Sequence, residues 1–402
     1  MEWKQNLKCM NDTNRIPDML HELEVSNRID LPALTEQQIK DAWSEVMPDL
    51  TRFAKSESVT LVVNDATRPA SASMISPLED VLGDKVKVLF ATGTHRPVTR
   101  MEKSKLLGNS FRNAEWKSSN CDSPEMVYIG ETPDGTPVSM DPWLFDGNPV
   151  VAVTSVEPHY FAGFTGGRKS FLPGVSSRDS IVMNHYRACL PGATAGKLEG
   201  NPVHADMMNA LSMLEKSVEI VQGNGVVQNG RIVHFNAGSC GKSFVRASRI
   251  SADLSRLTVP RKSSVVILHP GKPLDTNFYQ SGKAIYNCAS VVKDGGYLLL
   301  VSSCNEGLGA DHLEEVFRVS MDESWKTPER QQYNLGDHTV VRLKNLRKKI
   351  NLALSSSLPD SIVEVMGIEP VHDIESWIRT KESDRPLFIP EAGFVIPVVQ
   401  ES

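Results

Sequence analysis

Val59-Thr-Leu-Val-Val63 runs straight into Asn64-Asp-Ala-Thr-Arg68-Pro69, and this pattern of a short apolar run ending in polar and turn residues recurs along the chain. Val86-Lys-Val-Leu-Phe90, Val150-Val-Ala-Val153, Val265-Val-Ile-Leu268 and Tyr297-Leu-Leu-Leu-Val301 repeat it. Apolar runs of this length without strict alternation suit strands covered on both faces, as in a parallel sheet. Helix-like stretches lie between them, from Ser177 to Cys189, from Val203 to Lys216 and from Tyr279 to Val291. Strands alternating with helices predict an α/β architecture with mostly parallel sheets. Asn229-Gly230 predicts a tight turn joining two strands. The stretch from Arg256 to Ser264 reads as a linker, dividing the chain into an N-terminal α/β domain, 1–260, and a C-terminal α/β domain, 261–402. Pro397 in the last apolar run predicts an edge strand.

The 402 residues suffice for two sizeable domains. Lys and Arg number 43 against 49 Asp and Glu, a net charge of −6, which argues against a general nucleic-acid or anionic-membrane binder. The six cysteines are scattered without a C-x-x-C pair, so a reduced, cytoplasmic setting is expected. No apolar stretch approaches the ~20 residues of a spanning helix.

Ligands of open α/β sheets sit beyond the carboxyl ends of the strands. Those ends carry Asn64 to Pro69, Ala91-Thr-Gly-Thr-His-Arg-Pro97, Glu157-Pro-His-Tyr160 and His269-Pro-Gly271. The segment Phe161-Ala-Gly-Phe-Thr-Gly-Gly-Arg-Lys-Ser170 follows, with Gly163, Gly166 and Gly167 placed to let backbone amides approach a ligand. It misses the phosphate-loop pattern because Arg168 stands where that pattern needs glycine. Of the ten histidines, His95, His159 and His185 stand out as metal ligands or acid/base groups. His21, His204, His312, His338 and His372 read as surface or capping residues, His234 as packed in a strand and His269 as a weaker candidate. Arg68, Arg96, Arg168 and Lys283 would add positive charge for a carboxylate or phosphate, and Tyr160, Phe161, Phe164 and Tyr186 would line a pocket. These residues leave room for a zinc hydrolase built on the three histidines with Asp65 or Glu157, and for a nucleotide-phosphate binder using the loop from Gly163 to Ser170.

Taken together, Asp65-Ala-Thr-Arg68, Gly93-Thr-His-Arg96, the segment from Glu157 to Ser170, Asn184-His185 and Asn277-Phe-Tyr-Gln-Ser-Gly-Lys-Ala284 resemble the lactate racemase family. The resemblance implies two α/β domains with the active site in the cleft between them. It implies a nickel-pincer nucleotide attached to the Lys169 amine, with His185 as the protein's nickel ligand. Asp65, Thr67, Gly166 and Gly167 would help hold the nucleotide, His95 and His159 would be the acid/base pair, and Arg68, Gln280 and Lys283 would contact substrate. The implied reaction is inversion at C2 of a 2-hydroxy acid through hydride transfer. The implied partners are that small acid and the enzymes that synthesise the cofactor.

Overall fold

The computed structural model describes residues 30–68, 71–309, 312–322, 325–381 and 386–400. Helices Glu36–Trp43 (α1) and Met47–Phe53 (α2) lead into the first strand, Val59–Asn64 (β1), and α1 opens on a reciprocal cap between Thr35 and Gln38. The chain continues through Ala72–Leu82 (α3), Val86–Ala91 (β2), Arg100–Leu107 (α4) and Trp116–Ser118 (β3). A hairpin of Val127–Glu131 (β4) and Pro137–Met140 (β5) precedes Val150–Ser155 (β6) and a small ribbon of Pro158–His159 (β7) and Gly163–Phe164 (β8). Arg178–Tyr186 (α5), Pro202–Leu214 (α6), Ile220–Gln228 (β9), Arg231–Gly238 (β10) and Cys240–Ser255 (α7) complete the domain.

Six strands form one sheet in the order β10-β9-β6-β1-β2-β3, parallel throughout except for the antiparallel β9–β10 edge pair that turns at Asn229-Gly230. The unbroken apolar run of β1 follows from cover on both sides. Leu61 and Val63 pack with Val88 and Phe90 beneath α1 and α3, while Val62 packs with Leu89 and Ala152 on the other face. Chain order reverses between β1 and β6, so a crevice opens at the carboxyl ends of these two neighbouring strands.

The second sheet is parallel in the order β15-β14-β13-β12-β16, formed by Ser263–Leu268 (β12), Val292–Val301 (β13), Asn351–Ser355 (β14), Glu369–Pro370 (β15) and Leu387–Ile389 (β16). Helices Phe278–Cys288 (α8), Leu313–Ser320 (α9), Asp337–Arg347 (α10), Asp360–Val365 (α11) and Ile374–Arg379 (α12) surround it. The stretch expected as a linker is in part a strand. Arg256–Val259 (β11) pairs in parallel with Ile396–Val399 (β17), and its alternate residues Leu257 and Val259 enter the C-terminal core. β17 carries Pro397 in this two-stranded sheet, where both strands are edges. No helix among the described residues is long and apolar enough to cross a membrane.

Candidate active site

The turn after β1 places Asp65 beneath the loop after β2. The buried Asp65 carboxylate accepts from His95 Nδ1 at 2.6 Å through Oδ2, and from the Thr67 amide at 3.1 Å and hydroxyl at 2.6 Å through Oδ1. Burial pushes the Asp65 pKa up, but the hydrogen bond and charge of His95 with the Thr67 hydroxyl outweigh it, and the carboxyl titrates below its usual range. An ionised carboxylate can only accept, so His95 carries a proton on Nδ1 and turns Nε2 away from Asp65. Thr67 and Asp65 are thus occupied with orienting His95. Arg68 follows two residues on from Ala66 and pairs with Glu157 at 3.5 Å. Arg96 lies outside the site, with an exposed guanidinium bound to Glu102 at 2.5 and 2.8 Å, because Glu102 also caps the start of α4.

β6 delivers Glu157 and His159 to the same crevice. His159 is 8% exposed and stacks on Tyr160, with Phe161 edge-on at 4.5 Å between ring centres. Burial, and then the charges of Lys169, Arg68 and Lys283, hold its pKa well below that of an ordinary histidine. The neutral ring accepts the Ala162 amide at Nδ1, 3.3 Å away, which leaves the proton on Nε2.

The glycine-rich segment is rigid for an internal reason. A Cβ at Gly163 would lie 2.3 Å from the Lys197 carbonyl, at Gly166 2.7 Å from the Ser155 carbonyl, and at Gly167 2.4 Å from the Phe244 ring. Each has a positive φ. Packing therefore accounts for these glycines, in place of the open ligand space expected from sequence. Arg168, expected to face an anion, is fully buried, donating to the carbonyls of Ala162, Phe164 and Gly166 and lying over Phe244 at 4.3 Å. Its guanidinium fills the centre of the turn that a phosphate loop keeps for its ligand. Clamping it there presents the next residue, Lys169, to the cleft. The Lys169 amine has no hydrogen bond or ion pair among the described residues, and burial with the charges of Arg68, Arg168 and Lys283 depresses its pKa strongly. Phe164 packs into the core with Val156 and Phe244 instead of lining a pocket.

His185 projects from the last turn of α5 and is 8% exposed. Burial, then the Lys169 charge, lowers its pKa to about 3 against a weak opposing pull from the Ile181 carbonyl one turn back. Its Nδ1 is shielded from solvent and has no partner at hydrogen-bonding geometry. Its neighbours are anchored from below. The fully buried Asp206 carboxylate of α6 accepts from Asn184 Nδ2 at 2.8 Å and from Thr132 and Thr136 of the β4–β5 hairpin at 2.6 and 3.0 Å, with Arg187 at 3.4 Å.

The C-terminal domain closes the cleft with α8 and α10. Lys283 donates to Gln280 Oε1 at 2.5 Å, and burial with the nearby Arg68 charge lowers its pKa to about 7. Glu157 opposes that shift, so Arg68, Glu157 and Lys283 share one electrostatic neighbourhood across the two domains. His338, expected at the surface, is fully buried in α10 between Tyr160 and Tyr333, 2.8 and 2.6 Å from their hydroxyls. Four residues along the same helix face, Arg342 donates to the carbonyls of Ala193, Tyr160 and Ala188 in the first domain at 2.6, 3.0 and 3.4 Å. The i, i+4 spacing of His338 and Arg342 was the available signal, but polar residues at helical spacing read equally well as a solvated face. Of the other histidines read as surface or capping residues, His312 and His372 are exposed beside Asp337 and Asp360, whereas His204 is half-buried against Phe244; His21 and Cys9 lie outside the described residues.

No group of three or more His, Cys, Asp or Glu among the described residues is disposed to hold a metal ion. His95 is bound to Asp65, and the Phe161 ring stands edge-on to both His159 and His185, so the three are not grouped as the zinc centre left open by their sequence pattern would require.

Comparison with known proteins bears on the family and the fold. A family model of the lactate racemase N-terminal domain matches residues 12–196, and one of the lactate racemase C-terminal domain matches residues 259–384. A lactate racemase of Thermoanaerobacterium thermosaccharolyticum is 30% identical over 276 residues, 66% of this chain and 64% of that protein. A lactate racemase of Lactiplantibacillus plantarum is 29% identical over 282 residues, 67% of this chain and 65% of that protein. The matched stretch thus spans just under two thirds of those relatives' own length. The solved structure of the T. thermosaccharolyticum lactate racemase apoprotein superposes with a TM-score of 0.79 at 25% identity, covering 96% of this chain and 97% of that one. A Thermotoga maritima protein at 18% identity and a TM-score of 0.74 shares the fold. With both domain models of one family aligned in order along most of the sequence, on a matching fold, this chain belongs to the lactate racemase family.

Proposed function

We propose that the protein is a racemase or epimerase that inverts C2 of a 2-hydroxy acid, lactate or a relative of it, with a nickel-pincer nucleotide carried on Lys169. The observation that carries this reading is the meeting in one electrostatic neighbourhood of an unpaired, charge-depleted lysine, a buried neutral histidine, and two further histidines with opposite proton placement. Lys169 fits covalent attachment because the neutral amine is its nucleophilic form, and acylation removes the charge that burial penalises. His185 fits a metal ligand because burial keeps its ring unprotonated, and so able to coordinate, at neutral pH. The chemistry that such a group supplies is reversible hydride acceptance from C2, which renders that carbon planar.

The chain's own residues supply binding and proton transfer. Arg68 and Lys283 face the same space and would hold the substrate carboxylate, with Gln280 fixing the Lys283 ammonium. His95, whose Nδ1–H is held by Asp65, would accept the hydroxyl proton of one enantiomer at Nε2. To return a proton to the oxygen on the other side, His159 would have to be charged as the imidazolium, a form favoured once acylation removes the Lys169 charge that helps hold the ring neutral. After one inversion from that starting form, His95 would be the imidazolium and His159 the neutral ring, which sets the pair for the reverse reaction. Tyr160 and Phe161 around His159 exclude water from the transfer.

Protein reconstituted with the cofactor-synthesising enzymes should gain a covalent mass increment on Lys169, keep nickel through desalting, and interconvert enantiomers of lactate or another 2-hydroxy acid in a chiral assay. His95→Ala and His159→Ala should lose racemisation while keeping nickel, and His185→Ala should release the metal. Unmodified Lys169 without bound nickel after reconstitution would overturn the reading.

A further inference from the structure

His338 belongs to the C-terminal domain, yet it is enclosed by residues that shape the other half of the site. Its Nε2 lies 2.8 Å from Tyr160 Oη and its Nδ1 2.6 Å from Tyr333 Oη. Tyr160 Oη donates to Tyr279 Oη at 3.2 Å, so its own proton is spent there. The Tyr160 oxygen then accepts from His338 Nε2–H, and Nδ1 accepts from Tyr333. Both ring nitrogens are satisfied in a single tautomer, and burial keeps the ring neutral.

That fixed ring holds an aromatic assembly containing two of the first domain's three functional histidines, His159 and His185. Tyr160 stacks on His159 at 5.2 Å between ring centres and at an angle of 26°. Phe161 stands edge-on to His159 at 4.5 Å, to His185 at 5.1 Å and to His338 itself at 5.0 Å. Tyr160 and Phe161 are consecutive in the chain, so anchoring one fixes the other. Without the hydrogen bond from His338, the Tyr160 hydroxyl would keep only the Tyr279 hydroxyl as a partner, on a helix that belongs to the second domain.

We infer that His338 is a positioning residue for the reaction: through Tyr160 and Phe161 it sets the ring planes of His159 and His185, and does so when the two domains are closed on one another. The inference rests on the roles given to His159 and His185 above. It assigns His338 no contact with substrate. A consequence is that this site is assembled across the domain boundary, since α10 supports Tyr160 and Phe161, which pack on His159 and His185.

The test compares His338→Phe, which keeps the ring and its volume but removes both hydrogen bonds, with His338→Gln, which keeps one donor and one acceptor. In reconstituted enzyme, His338→Phe should lower kcat by about ten- to a hundred-fold, the usual cost of displacing a catalytic group by up to about 1 Å, with KM changed far less. His338→Gln should recover most of that loss. A second readout needs no activity: in the apoprotein, acylation of His159 and His185 by diethyl pyrocarbonate, followed residue by residue by mass spectrometry, should quicken several-fold in His338→Phe. The half-buried His204 and His234, which lie outside the assembly, should keep their rates. An unchanged kcat in His338→Phe, unchanged acylation of His159 and His185, or an equal rise at His204 and His234 that marks general loosening, would each overturn the inference. If the wild-type holoenzyme racemises nothing, the functional reading fails while the acylation result still decides the positioning role.

Discussion

Replacing Arg342 with Met tests how firmly the second domain holds the first. Its guanidinium reaches from α10 to the carbonyls of Ala193 and Tyr160 at 2.6 and 3.0 Å, with a third contact to Ala188 at 3.4 Å, and lies over the Tyr286 ring at 4.8 Å. Hydrogen bonds to a charged group contribute about 1.5–3 kcal/mol each, so the two shorter ones represent about 3–6 kcal/mol. Met retains the volume and relieves the desolvation of a guanidinium whose Nε has no partner, which places the net loss near the lower end, about 3 kcal/mol. The loss falls on the interface first, because the broken bonds all join one domain to the other. A shift of about 3 kcal/mol corresponds to about a hundred-fold change in the equilibrium between joined and separated domains. Differential scanning calorimetry should resolve two transitions in Arg342→Met in place of one, and small-angle scattering should report a larger radius of gyration. A single transition at the wild-type temperature with unchanged scattering would refute the assignment of Arg342 as the interdomain staple.

Three further outcomes follow from the same geometry. Asp65→Asn should leave His95 in place but unable to hold one tautomer, lowering racemisation kcat by about 10²–10⁴ as in other acid-supported histidines; a wild-type rate would sink the orientation argument. Asp206→Ala strips Asn184, Thr132 and Thr136 of their shared buried acceptor, so thermal stability should fall by about 2–4 kcal/mol and nickel retention on desalting should drop, and an unchanged melting temperature would contradict the anchoring role. Acid should destabilise the apoprotein through its neutral buried histidines: the unfolded chain takes up a proton below about 6.5, whereas folded His185 waits until about pH 3, so stability present above pH 6.5 is lost as pH falls toward 3. His185 alone accounts for about 2 kcal/mol between pH 6.5 and 5, and His159 and His338 act in the same direction. Equal denaturation midpoints at pH 7 and pH 5 would refute this.

The site was legible where local chemistry and strand ends coincide. His95, His159 and Lys169 follow strands in glycine- or proline-rich loops, and such positions are accessible only because the sheet ends beneath them. Arg96 and Arg168 were misread because charge in a sequence carries no direction: one is drawn to the cap of α4 and the other is swallowed by backbone carbonyls. His338 was misread for the opposite reason, since its neighbours Asp337 and Thr339 are polar yet buried, and helical spacing does not say what the helix packs against. Arg256–Val259 looked like a connector because its partner strand, Ile396–Val399, is far away in sequence.

By itself the sequence determined the α/β class, the parallel character of both sheets, the hairpin at Asn229-Gly230 and the family, because apolar runs, turn residues and contiguous motifs are local properties of the chain. Tertiary structure alone decided which nitrogen of His95 and His159 bears the proton, which arginines face the cleft, and that α10 reaches across to brace the first domain's histidines. Each of those depends on a partner contributed by a different segment, and the free energy of a buried polar group is set by that partner and its distance, which residue order does not encode.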